Sequence, residues 1–228
     1  MEDRIETMNA YTFPFDTCET PRKDSILAQP YSVFINLVSC GILFYFFTRV
    51  RRPSTRATLL AIFLFELWHT WSHSIHVQGM LQLNVVHGLA YLVNLCLLWF
   101  LYDISNQPPS RMALLLLVTI VLFDLYSFCF LPFLYYLSTQ LLLLFVLLLL
   151  YHHLVPVAYF SALAILILVL VLFIVNESMH CKDMLKYHVF PYHILIETTG
   201  TIIFFCLGML LLHMETTMTP LRKKKKMI

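Results

Sequence analysis

The stretch Glu66-Leu-Trp-His-Thr-Trp-Ser-His-Ser-Ile-His76 places one carboxylate and three imidazoles inside a long apolar segment. In a helix turning about 100° per residue, Glu66, His69, His73 and His76 fall within an arc of roughly 80°. One face of that helix then carries a polar stripe. Ionisable groups at membrane depth are costly, so they normally turn into a bundle and act there. Imidazoles at i and i+4, His69 and His73, can reach one divalent ion, and so can His73 and His76 at i and i+3. A third ligand from the last apolar segment, His193 or His188, would complete a three-histidine site with a position open to water. Zinc in such a site lowers the pKa of its water to about 7, which makes hydroxide available at neutral pH. Nearby carboxylates would orient the ligands or carry protons. A lipid amide or ester reaching the site sideways from the bilayer would suit this chemistry.

Composition sets the class of protein that must position these groups. Hydrophobic residues make up 60% of the 228 and charged residues only 12%. Soluble domains carry about twice that charge, so an integral membrane protein is expected. Apolar stretches lie near 31–48, 57–77, 84–103, 112–131, 133–151, 154–176 and 190–213. Each approaches the roughly 20 residues that a bilayer core of about 30 Å requires. The expected fold is all-α, a polytopic seven-transmembrane-helix bundle over 31–213. A polar tail, 1–30, precedes it and a basic tail, 214–228, follows. The run from Met112 to Tyr151 is too long for one span, and Pro132, flanked by Ser127 and Ser138, is the natural point for a hairpin.

Arg49, Arg51, Arg52 and Arg56 crowd the first connection, and Arg222 with Lys223 to Lys226 closes the chain. Seven spans put both clusters in the cytosol, with the N-terminus lumenal or outside and the C-terminus cytosolic. The final Lys225-Lys226-Met227-Ile228 matches the dilysine retrieval pattern, an address read by coat-protein machinery in the endoplasmic reticulum. No nucleic-acid partner is expected. In this topology His69, His73, His76, His87, His180, His188 and His193 gather on the non-cytosolic side, with Glu177, Glu197 and, on the fourth span, Asp124. Cys18 and Cys181 share that side, where an oxidising lumen would permit a bridge.

The seven-helix pattern resembles the superfamily of alkaline ceramidases, progestin/adipoQ receptors and GPI-lipid remodelling proteins. There, zinc is held by the histidine of an S-x-x-x-H motif on the second span and by two histidines of an H-x-x-x-H motif on the seventh, assisted by an aspartate near the third. Ser72-His-Ser-Ile-His76 matches the first motif. His193 is similar in position to the second histidine of the other. The resemblance implies His76 and His193 as ligands and Ser72 as a residue that helps hold the zinc-bound water. Val189 stands four residues before His193, with His188 five before; His87 stands where the aspartate is expected, and Asp124 is the candidate to replace it. Glu66 to His73 also resembles the E-x-x-N-x-W-S/T-H sequence of the progestin/adipoQ receptors, with His69 in place of the asparagine.

Other functions use comparable parts. A non-catalytic receptor or scaffold would employ the histidines as structural ligands or as a pH sensor, since imidazole titrates near 6.5. A proton-coupled transporter would carry protons on them. A retinal protein is excluded, because residues 190–213 contain no lysine for a Schiff base. A di-iron lipid oxidase needs about eight histidines in paired boxes, and His152-His153 falls on the opposite face.

Overall fold

The computed structural model describes residues 18, 19, 22, 25–76, 80–105, 155–186 and 192–225, together with scattered single residues between 115 and 149. Among these there are five long helices and no strand: α1 Pro30–Arg49, α2 Pro53–Ser74, α3 Met80–Ser105, α4 Val157–Lys186 and α5 His193–Lys225. The expected fourth and fifth spans, the Pro132 hairpin, Asp124 and His188 lie outside the described residues or among those scattered positions.

Four helices contain segments long and apolar enough to cross a membrane: Pro30–Arg49, Asn84–Ile104, Val157–Glu177 and His193–Thr217. Helix α2 has the length, at 22 residues, but is more polar. Its polarity points inward: Thr55, Thr58, Glu66, Thr70, Ser72 and His73 are buried, whereas Leu60, Leu64, Leu67 and Trp71 are exposed. Those four exposed residues recur at helical spacing and form one apolar stripe. A helix that hides polar groups and shows leucine is suited to lipid surroundings.

Two helices outrun the expected spans. The sixth expected span ends at 176, yet α4 continues to Lys186, so Glu177 and His180 are helical rather than in a connection. The seventh ends at 213, yet α5 continues to Lys225. Its last turns are rich in lysine, a good helix former whose charge also suits a helix C-terminus.

The helices pack in the order α3, α2, α1, α5, α4, so α1 is central, with α2 and α5 on either side. One half of the bundle is apolar: Leu43 and Phe46 of α1, Leu59 and Ile62 of α2, Phe100 and Ile104 of α3, and Leu211 and Met214 of α5 are all within a few per cent of full burial. Polar clasps close that end. Arg52 Nη1 lies 3.3 Å from Asp103 Oδ2, which also accepts the Ser54 hydroxyl at 2.8 Å. Glu215 Oε1 accepts the Arg51 and Arg52 amides at 2.7 and 3.1 Å.

The opposite half is closed by the segment before α1. Proline at the first helical position suits a helix start, and Glu19 acts as a remote cap for α1. Its carboxylate accepts the Tyr31 and Ser32 amides at 2.9 and 3.0 Å, and also the Ser32 hydroxyl. The amides of Ala28 and Gln29 donate to the Ser74 and His73 carbonyls at 3.2 and 3.0 Å. These carbonyls would otherwise be left without donor partners where α2 ends. Cys18 and Cys181 are disulfide-bonded, with Cα atoms 5.4 Å apart, so this segment is fastened to α4.

Gly208 sets the approach of α5 to α1. A methyl group added there would lie 2.3–2.7 Å from three atoms of the Phe46 ring, and Phe46 is 1% exposed. Gly200 has open space by the same test. We expect Gly208→Ala to destabilise the protein by about 1–3 kcal/mol, as overpacking does, and Gly200→Ala to leave it near the wild type; thermal unfolding in detergent measures both.

Candidate metal centre

Helix α2 delivers His69 and His73 one turn apart, and α5 delivers His193 and Glu197 one turn apart. Both helices rest on α1, and the side chains meet in the space between them. His69, His73 and Glu197 offer ligand atoms that all lie within 4.8 Å of one another, and the group could hold a metal ion. Glu197 Oε1 is the centre of the arrangement: His193 Nε2 is 2.8 Å away, His73 Nε2 3.2 Å and His69 Nε2 3.6 Å. The Nε2 atoms of His69 and His73 are 2.9 Å apart.

Each ring is held from behind. His73 Nδ1 lies 2.6 Å from Gln29 Oε1. His193 Nδ1 lies 3.0 Å from both oxygens of Glu177. His69 Nδ1 lies 3.7 Å from Glu66 Oε2, at ion-pair distance. For His73, an acceptor at Nδ1 favours the tautomer with its proton there, leaving Nε2 as a lone pair directed inward. His193, in contrast, has carboxylate oxygens at both ring nitrogens and is placed to donate from each. The Asn36 amide, with its NH2 turned toward the carboxylates, lies 2.8 Å from Glu197 Oε2 and 3.3 Å from Glu66 Oε1. Three ring nitrogens thus surround one carboxylate oxygen, an arrangement that a cation or shared protons between them would balance.

The donor chemistry fits a transition metal. Two imidazoles and one carboxylate make up a ligand set known for catalytic zinc, with a fourth position open. These three and the neighbouring His193 are sequestered: side-chain exposure is 0% for His73, 7% for Glu197, 8% for His193 and 13% for His69. His69 is thus the most accessible.

The remaining candidates stand elsewhere. Helix α2 ends at Ser74 and Ile75 is extended, so His76 leaves the stripe that a continuous helix would have given it. It is exposed, with Nε2 3.0 Å from the Arg22 carbonyl oxygen. The helix stops there because the backbone of Ala28 and Gln29 occupies its last carbonyls. Ser72 is buried and donates to the Trp68 carbonyl at 2.9 Å. His87 is buried on α3, outside the group. The structure therefore gathers the Glu66 to His73 stretch rather than the Ser72 to His76 one. Glu197 is the member that spacing arguments undervalued, although its position i+4 from His193 was a usable signal. Gln29 and Asn36 had no such signal.

No family model, curated protein or solved structure matches the chain. Function must therefore be argued from the site.

Metal content should follow the geometry. Purified protein loaded with zinc and then desalted should keep about one ion per chain, the capacity of a single three-ligand site. His73→Ala and Glu197→Ala should lose it while His76→Ala keeps it. Elemental analysis reads the result, and equal zinc in all four proteins would contradict the assignment.

Proposed function

We propose that this chain is a zinc-dependent membrane hydrolase that cleaves a lipid amide or ester, with its metal held by His69, His73 and Glu197 and with His193 beside them. The carrying observation is that the rings of His69, His73 and His193 each face a separate acceptor at Nδ1, at 3.7, 2.6 and 3.0 Å, while every Nε2 turns toward Glu197 Oε1. Packing histidines have no reason to share that orientation. Zinc bound there would act as a Lewis acid and acidify water enough for it to react at neutral pH.

The chain's own residues have separable tasks. Gln29 fixes His73 in the binding tautomer, and Glu177 fixes the orientation of His193. Asn36 bridges the Glu66 and Glu197 carboxylates and keeps Glu197 turned inward. Glu66 is left to handle the proton: it is buried and adjoins the group without belonging to it. It would take a proton from water as oxygen attacks the carbonyl carbon, then return it to the departing amine or alcohol as the acyl bond breaks. The burial of the group keeps bulk water out, while apolar helix faces supply a route for a membrane lipid. The seven-span bundle with its N-terminus lumenal belongs to the same proposal.

A second reading has its own support. The 2.9 Å separation of the His69 and His73 Nε2 atoms is also that of two rings sharing a proton, as a proton-coupled transporter or pH sensor would use.

Turnover separates the two. In detergent, N-acyl lipids such as ceramide, and acyl esters beside them, should be hydrolysed by zinc-loaded protein, with activity lost on chelation and recovered on adding zinc. Glu66→Gln should retain zinc and lower kcat by about 10²–10⁴-fold, the usual worth of a general acid–base group. Zinc-loaded protein that cleaves neither class would overturn the hydrolase and leave the proton reading.

A further inference from the structure

The segment before α1 lies far from the metal group in sequence, yet it touches the support of two of its rings. Gln29 is on that segment and holds His73 Nδ1 at 2.6 Å. Glu177 is on α4, and its Oε1 accepts the Cys18 amide at 2.8 Å while also facing His193 Nδ1 at 3.0 Å. Four residues beyond Glu177 on α4 is Cys181, the partner of Cys18 in the disulfide. The bridge therefore fixes the Cys18 backbone against the helix turn that carries Glu177. The segment is itself tied together, because the Gln29 amide nitrogen donates to the Glu19 carbonyl and Glu19 caps α1.

Resting on the metal site argued above, we infer that the Cys18–Cys181 bridge and Glu177 are positioning elements of that site: they hold His193, and through it Glu197, in the geometry that binds the ion. The path is continuous. It runs from the bridge to the Cys18 N–H, to Glu177 Oε1, to His193 Nδ1, and from His193 Nε2 to Glu197 Oε1 at 2.8 Å. Cys18, Glu177, His193 and Glu197 are all buried, so water is poorly placed to substitute for a lost partner. Removing Glu177 leaves His193 Nδ1 without its acceptor and frees the ring to turn. Removing the bridge leaves Glu177 in place but lets its second donor drift. A bridge serving stability alone would have no bearing on the ion's coordination. A bridge serving position must change it.

Cobalt(II) titration of the full chain in detergent provides the test, because the visible spectrum of cobalt reports ligand geometry as well as occupancy. Cys18→Ser/Cys181→Ser and Glu177→Leu should each bind cobalt about 10–100-fold more weakly, the usual loss when an outer-shell partner is removed, and with altered visible bands. Glu177→Gln keeps an oxygen that can serve both the Cys18 amide and His193, and should recover most of the affinity. Asp103→Asn, which loosens the opposite end of the bundle, should lower thermal stability without moving the spectrum. If the double cysteine variant does not fold, the Leu and Gln pair at Glu177 decides alone. Unchanged cobalt affinity and spectrum in the cysteine and leucine variants would overturn this inference and leave the metal site standing. A wild-type chain that binds no cobalt or zinc would overturn both.

Discussion

Three imidazole nitrogens gathered around one carboxylate oxygen repel it and each other unless a cation or protons lie among them. That constraint governs half of this bundle. In water such a cluster would be screened and the rings would turn away, but burial removes that option and makes every unpaired polar atom expensive. The helices answer by surrounding the cluster with further partners: Gln29, Asn36, Glu66 and Glu177 each hold a member of it. A network of this kind specifies one arrangement when its charge is balanced and fails when it is not.

The division of the bundle follows from the same requirement. At the Arg52 end, the space between helices is filled by Phe46, Phe100, Leu59 and Leu211, and α5 approaches α1 closely through Gly208. Apolar packing there supplies a rigid base. At the Pro30 end the polar cluster replaces hydrocarbon, and α2 and α5 communicate through side chains while both rest on α1. Closure of that end falls to the preceding segment, which supplies partners for the last carbonyls of α2 and caps α1. Fold and site thus share the same hydrogen bonds.

Much of this was legible in the sequence. Apolar stretches at membrane length located all five described helices, and the exposed Leu60, Leu64, Leu67 and Trp71 are those that helical spacing turns away from Glu66 and His73. The His69 and His73 pairing followed from 100° per residue alone. His76 did not fit, because a helix boundary depends on what accepts or supplies its terminal hydrogen bonds, and Ala28 and Gln29 are remote in sequence from Ser74. Glu197 was visible only as a carboxylate near His193; its central place depends on how α5 is rotated against α2, which periodicity within either helix does not specify. The bridge between Cys18 and Cys181 was suggested by the topology expected from the sequence, which puts both on one side of a membrane. Its link to His193 required knowing that α4 continues past Glu177.

X-ray absorption at the zinc edge, on protein loaded with one equivalent of the metal, addresses the central claim most directly. The account predicts imidazole scattering together with an oxygen ligand, at about 2.0–2.1 Å for nitrogen and 2.0–2.2 Å for oxygen, and a loss of imidazole signal in His69→Ala. A spectrum with sulfur at about 2.3 Å, or one showing only water and unaffected by that substitution, would contradict it.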